Sequence, residues 1–251
     1  MAAETIDILV ISAVVSAGVG GLVTYFTQNS LLTKKAELDY QYEAKKRIHE
    51  ATGPASLQLM LSARDIIRRF HKHHKDSWAM EPEGYYVKSS IYLLLAPLAV
   101  GQTIEKRIGM VDFTIDSEAL IFLKFITTAE RMLSGSDPLL DHPNADWSNQ
   151  TQHLFRHNLR SAAPTLIVTE EGDNGRIMGF DEFDSQYEIM QTENLKDLGL
   201  LFKNCDEQLT ENSILWIRIV GYMYSCSKLL NSKTARSLGF TARELDITEM
   251  V

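Results

Sequence analysis

The stretch Ile8-Leu-Val-Ile-Ser-Ala-Val-Val-Ser-Ala-Gly-Val-Gly-Gly-Leu-Val-Thr-Tyr-Phe26 contains nineteen residues and no charged side chain. As an α-helix it would be about 28 Å long, because each residue adds about 1.5 Å, and this length matches the hydrocarbon core of a bilayer. We therefore predict a single transmembrane helix over residues 8–26. All but seven of the other residues follow it, so this helix decides where the rest of the chain lies.

Two other interpretations of this stretch are a cleaved signal peptide and a buried core helix. A signal peptide begins with positive charge and ends at a cleavage site between small residues. Here Glu4 and Asp7 precede the apolar run, and no Ala-x-Ala sequence follows it. A core helix rarely lacks charge over nineteen residues. Because Lys and Arg are retained on the cytoplasmic side of a span, the bases that follow residue 26 predict an N-terminus outside and a C-terminal domain in the cytoplasm.

Small side chains recur every four residues along the predicted span. They form two adjacent rows, which are Ser12, Ser16 and Gly20, and Ala13, Ala17 and Gly21. Small residues let two helices approach closely in lipid. The rows therefore predict self-association or pairing with a partner's span. The alternative is that Gly, Ala and Ser are simply common in such helices.

The charge of the chain changes sign along its length. Residues 27–75 carry ten Lys or Arg against five Asp or Glu, whereas residues 76–251 carry fifteen against twenty-six. We predict three regions: a transmembrane anchor over 1–27, a basic juxtamembrane helical stalk over 28–75, and an acidic helical cytoplasmic domain over 76–251. The acidic domain argues against nucleic acid as a partner, because phosphate binding requires clustered positive charge.

Five bases of the stalk lie closest to the predicted membrane surface. They are Lys34, Lys35, Lys45, Lys46 and Arg47. Basic juxtamembrane residues interact favourably with anionic lipid, by about 1 kcal/mol each. We therefore expect membrane lipid to be a partner of this segment.

The residue pattern after the anchor predicts a mainly α fold, a helical bundle with one small β-hairpin. Gly53-Pro54 is expected to end or kink the stalk helix. Apolar periodicity predicts helices at about 55–74, 85–108, 117–133, 147–160, 182–209 and 212–231. The β-branched run 165–169, a Gly-Asp-Asn-Gly turn at 172–175 and the run 176–180 predict the hairpin.

Two positions within the predicted bundle raise specific questions. Residues 89–104 lack charge, and they are either a core helix kinked at Pro97 or a second span; we favour the core helix because the run is short. Arg218 interrupts the apolar face of the last long helix, and it would need a carboxylate partner if buried.

Residues able to carry chemistry are few. His153 and His157 lie four apart and would share a helical face, as in a zinc pair with His142 or Asp146 as a third ligand; the alternative is that they are surface histidines. Cys205 and Cys226 match no metal or redox motif and are expected to be free, buried thiols. Phosphate-loop, dinucleotide and nucleophile-elbow motifs are absent from the sequence, and we expect no cofactor.

Four stretches together carry a resemblance. They are residues 39–48, residues 84–86 with 90–99, residues 111–113 with Asp116, and residues 176–180 with Glu182-Phe183. These stretches resemble a group of bacterial single-span membrane-anchored helical proteins with no assigned activity. The resemblance implies a bacterial inner membrane and this architecture, and it implies no reaction and no catalytic residue.

Two hypotheses for function follow. The first is a membrane-anchored interaction or regulatory protein that holds a helical domain at the inner face of a bacterial membrane and binds a protein partner or itself. An oligomeric effector in stress or phage defence is a variant of it. The second is a metal-dependent hydrolase that uses the histidine pair. The lack of catalytic motifs favours a protein that is not an enzyme.

Overall fold

The computed structural model describes residues 2–76, 84–109, 117–135, 154–169, 175–190, 195, 198 and 213–240. This part of the chain is mainly helical, as predicted. Its helices are α1 (Ala2–Asp76), α2 (Tyr85–Ile108), α3 (Ser117–Ser134), α4 (Arg156–Ala162), α5 (Phe180–Met190), α6 (Ser213–Leu230) and α7 (Lys233–Ser237). A 3₁₀ turn (Ala163–Leu166) leads into strand β1 (Ile167–Val168), which pairs with β2 (Arg176–Ile177).

The chain divides into two compact units, Met1–Arg47 and Ile48–Val251. The first unit is the N-terminal part of α1. The second, called the body here, contains the C-terminal part of α1 and every later element. The hydrophobic core of the described residues lies in the body, and its first member along the chain is Ile48.

Helix α1 does not end at Gly53-Pro54, so of the two alternatives expected there the helix end is wrong and the kink stays a prediction. Pro54 lies inside the helix and is exposed. Proline in a helix interior costs about 3 kcal/mol because it removes one backbone hydrogen bond. On either side of it the helix faces the core, where Thr52 and Ala55 are buried. This tertiary packing holds the backbone helical through a sequence that would favour a break.

Helix α2 is the central element of the body, as predicted for residues 85–108. Most of its residues from Val87 to Ile104 are buried, including Pro97, which lies inside the helix. Among the described residues, α2 is long and apolar enough to cross a membrane, but 78% of its apolar window is buried inside the protein. The 3₁₀ turn and helices α3, α4 and α5 all contact it, which is how a core helix is covered.

Helices α3 and α6 form an antiparallel pair. The Phe125 and Tyr222 rings stack with centroids 6.5 Å apart, and Gly221 faces Met132. The Tyr222 hydroxyl donates a hydrogen bond of 3.0 Å to the Leu94 carbonyl of α2. Tyr222 of α6 therefore contacts both α3 and α2. Cys226 is a buried free thiol, as predicted, and its burial raises its pKa.

Arg218 is buried, and its partners among the described residues are backbone carbonyls rather than the carboxylate that we expected. Its Nη1 donates hydrogen bonds of 2.8 Å to the carbonyls of Leu133 and Gly135. These carbonyls lie at the C-terminal end of α3, where the helix dipole is negative. Within the described residues the helix end therefore takes the role of the carboxylate. Desolvation lowers the pKa of Arg218 to about 10, so the guanidinium stays charged at neutral pH.

The predicted β-hairpin is confirmed, with shorter strands than expected. Ile167 pairs with Ile177 and Val168 with Arg176 in antiparallel register. The Tyr92 hydroxyl of α2 donates a hydrogen bond of 2.8 Å to the Met178 carbonyl. This bond joins the hairpin to α2. The loop 172–174, the start of the predicted helix 147–160 and Cys205 lie outside the described residues.

The closest approach of α2 to α3 provides a test of this packing. A Cβ atom at Gly101 would lie 2.8 Å from Cγ1 of Ile126, a β-branched side chain with little rotamer freedom. We expect Gly101→Ala to lower the free energy of unfolding by about 1–3 kcal/mol, measured by urea denaturation of the full chain in mild detergent.

The matched control is Gly221→Ala. Its Cβ would lie 3.1 Å from the Met132 sulfur, and methionine side chains adapt readily. Alanine also favours a helix over glycine by about 1 kcal/mol, so this variant should be close to the wild type. Equal stability of the two variants would contradict the packing of α2 on α3.

Candidate functional site

The N-terminal part of α1 carries large apolar side chains that nothing in the described chain covers. Val19, Leu22 and Val23 are 56–59% exposed, and Tyr25 and Phe26 are 65% and 66% exposed. In the body, residues of these types form the core. This exposed face, defined by the five residues above and called the apolar segment below, is the strongest candidate for a functional surface.

The threonine hydroxyls in and next to the apolar segment are hydrogen-bonded to the helix itself. The Thr24 hydroxyl donates to the Gly20 carbonyl at 2.8 Å, and the Thr27 hydroxyl donates to the Val23 carbonyl at 2.7 Å. Such bonds to the preceding turn remove the need for water at a hydroxyl. These two threonines therefore add little polarity to the apolar surface that the segment presents.

The predicted rows of small residues lie on the same helix. A Cβ atom at Gly20 or Gly21 would meet nothing within 4 Å, so this side of the helix is open to the close approach of another helix. Ser12, Ala13, Ser16 and Ala17 also belong to α1, but their side chains lie outside the described residues. The association surface is thus described at its C-terminal end.

The predicted basic residues all lie on α1 after the apolar segment. Lys34, Lys35, Lys45, Lys46 and Arg47 are exposed. Their helix is the same one that carries the apolar segment. An apolar helical surface therefore precedes a basic one along the same helix.

The histidine pair is described only in part. His157 is exposed on α4, and its ring stacks on Phe155 with centroids 5.6 Å apart. His153 lies outside the described residues. No cluster of three metal-binding side chains occurs in the ranges that the structure describes, and the pairing of His153 with His157 stays a prediction.

A second surface feature belongs to the body and was not predicted as a site. A groove of about 440 Å³ lies between α1 and α2, and Arg69, Tyr85 and Tyr86 are among its lining residues. The Arg69 guanidinium lies 5.6 Å and 6.0 Å from the centroids of the Tyr85 and Tyr86 rings, which is within cation–π range. The basic lining residues Arg68, Arg69 and Lys72 are neighbours in the sequence, whereas the tyrosines join them only by tertiary contact.

One carboxylate of the body is almost fully buried. Glu130 of α3 is 1% exposed, and its two oxygens lie 2.7 Å from Nε of Arg156 and 2.8 Å from Nε of Arg160. Arg160 also contacts Glu105 of α2 at 3.2 Å. Burial of Arg160 lowers its pKa, but the contacts with the two carboxylates outweigh that effect and raise it. Because both oxygens of Glu130 face arginines, this cluster ties α4 to α3 and α2 and is not available as a general base.

A surface ion pair fixes the start of α5. Nη1 and Nη2 of Arg176 donate hydrogen bonds of 2.7 Å and 2.8 Å to the two oxygens of Glu182. Glu182 also accepts a bond from the Gly179 backbone N–H at 2.6 Å, as a glutamate in the first helical turn does in a capping box. These contacts, the Arg176 bonds first, lower the pKa of Glu182 to about 2.

The comparisons with known proteins identify no relative. No protein-family model, no curated protein and no solved structure matches the chain. The function of the chain must therefore be inferred from the apolar segment, the basic residues that follow it and the surface of the body.

The ion pair between β2 and α5 has a measurable pH dependence. Because the pKa of Glu182 is lower in the folded protein than in the unfolded chain, its stabilising contribution is complete above about pH 4.5 and is lost as the pH falls towards 2. A carboxyl-selective NMR titration should show a pKa of about 2 for Glu182. In Arg176→Met it should rise towards the ordinary glutamate value, while Arg236→Met, at an exposed position of α7, should leave it unchanged. An ordinary pKa in the wild type would contradict this geometry.

Proposed function

We propose that the chain is a single-span membrane protein that holds its helical body at the inner face of a bacterial membrane and there binds a protein partner or a second copy of itself. The apolar segment is the observation that carries this proposal. Its large side chains are exposed along a helix whose threonine hydroxyls are bonded internally.

The free energy of solvation supports a lipid environment for this segment. Covering one large apolar side chain contributes about 1.5–3 kcal/mol, so covering five contributes roughly 10 kcal/mol. A helix can enter lipid and bury these side chains there because its backbone N–H and C=O groups are hydrogen-bonded within the segment. The apolar run continues without charge to Ile8, which makes the whole stretch long enough for one crossing.

The basic residues support the proposed orientation. Lys34 and Lys35 follow the span within one to three turns, and Lys45, Lys46 and Arg47 follow further along the same exposed helix. Bases on this side predict a cytoplasmic body, and each contributes about 1 kcal/mol of attraction when it lies near an anionic leaflet. In this proposal the anchor and the bases hold the helical body at the membrane surface, where membrane-bound partners are also concentrated.

A charged residue in the apolar segment tests the anchor. An arginine near the centre of a span costs about 2.5–3.5 kcal/mol, and we expect Val15→Arg combined with Val19→Arg to move much of the protein into the soluble fraction of carbonate-washed membranes. The control is Leu38→Arg, which adds a base to the exposed helix beyond the span and should leave the protein in the membrane pellet. Recovery of the wild type in the soluble fraction would refute the proposal.

The small-residue rows provide a separate test of association. Leucine at Gly20 and Gly21 would fill the open face, so Gly20→Leu with Gly21→Leu should sharply reduce cross-linked oligomers in cells. Val19→Leu lies about 100° around the helix from Gly20 and about 160° from Gly21, and it should have little effect. Oligomers that persist in the double variant would exclude these rows as the association surface, while leaving the anchor itself unaffected.

A further inference from the structure

An apolar groove opens between α3 and α6 in the body. Its most buried lining residues are Phe125 and Leu229, 4% and 1% exposed, and Ile121, Thr128 and Tyr224 form its sides. The groove has a volume of about 220 Å³. It is separate from the apolar segment and from the groove between α1 and α2.

The serine hydroxyl at the base of this groove is hydrogen-bonded to the backbone of its own helix. The Ser225 hydroxyl, which also lines the groove, donates to the Gly221 carbonyl at 3.2 Å. The base of the groove therefore presents mainly carbon to a ligand. A ligand that fills it must be apolar over most of its length.

Two lysines place positive charge on the two walls. Lys124 of α3 and Lys228 of α6 both line the groove and are both exposed. The Lys228 ammonium lies 5.0 Å from the centroid of the Tyr224 ring. Within the described ranges neither lysine forms an ion pair with an acid, and no acid lines the groove. The rim is thus cationic and the interior apolar.

We propose that this groove binds a carboxylate-bearing amphiphile of the medium-chain fatty acid class, with its chain against Phe125 and Leu229 and its carboxylate between Lys124 and Lys228. A neutral apolar compound would fill the groove without using either ammonium group. A carboxylate pairs with each of them through charge-assisted hydrogen bonds, which are strengthened beside an apolar surface because the local dielectric constant is lower than that of water.

The volume sets the length of the apolar part. An apolar cavity of about 150 Å³ accommodates a six-carbon ring, so a groove of about 220 Å³ suits a chain of roughly eight to ten carbons. Decanoate fits this description and is short enough to be used as a soluble probe. A partner of this kind is distinct from the protein partner of the proposed anchor, and this inference does not depend on that proposal.

The experiment uses photoreactive decanoate with the full chain in phosphatidylcholine nanodiscs. We expect saturable labelling of peptides that contain residues 121–128 and 224–229, with competition by unlabelled decanoate. Lys124→Gln combined with Lys228→Gln should reduce this labelling about tenfold, since both charge-assisted contacts are removed. Lys233→Gln, at an exposed lysine of α7 outside the groove, is the matched control and should label as the wild type does.

Two further arms separate the charge from the apolar contact. Photoreactive decanol should label weakly and should not respond to the glutamine changes, whereas Thr128→Phe should fill the groove and abolish labelling by both probes. Circular dichroism of each variant confirms that it is folded. Equal labelling by decanol and decanoate, or no effect of the double glutamine variant, would overturn the proposal. Loss of labelling in nanodiscs that contain phosphatidylglycerol would assign the groove to a lipid and would also overturn it.

Discussion

The burial of α2 is the constraint on which the body depends. An apolar helix of twenty-four residues is costly to hydrate, and the remaining elements of the described body cover it. Helix α3 packs on it at Gly101, α6 is joined to it by the Tyr222 hydroxyl, and the hairpin is joined to it by the hydroxyl of Tyr92. Hydrophobic burial supplies the free energy, and these polar contacts select one arrangement of the surrounding elements.

Two charged groups drawn into this core have partners of different kinds. Arg218 bonds to the carbonyl end of a helix, and Glu130 lies against two arginines from α4. Removing a charge from water costs several kcal/mol unless partners replace the water. Both groups therefore act as restraints: the geometry in which α3, α4 and α6 meet is the one in which these charges keep their partners.

The two units of the chain handle their apolar side chains in opposite ways. The body buries Leu, Ile and Phe among its own helices, whereas the apolar segment of α1 exposes Val19, Leu22 and Phe26. The same class of side chain is therefore buried in one unit and exposed among the described residues of the other. This contrast supports the proposed anchor, because large exposed apolar side chains are favoured in an apolar surrounding.

Many of the secondary-structure elements could be predicted from the local sequence pattern. The periodicity of α3, the extent of α2 and the two strands of the hairpin are encoded by residues within a few positions of one another, and the structure confirms all three. The helix end expected at Gly53-Pro54 was wrong because packing of neighbouring turns on the core outweighs a local preference. Boundaries of this kind depend on contacts that a local pattern does not contain.

What the sequence determined by itself is the type of each helical segment, the charge asymmetry and the uncharged run after Asp7, since these depend on neighbouring residues and on composition. Only the tertiary structure decided the partner of Arg218, 85 residues away at Leu133, the enclosure of Glu130 and the juxtaposition of Lys124 with Lys228. The physical reason is that such contacts depend on how whole helices pack, and many pairings of buried charges and groove walls are compatible with the same periodicity.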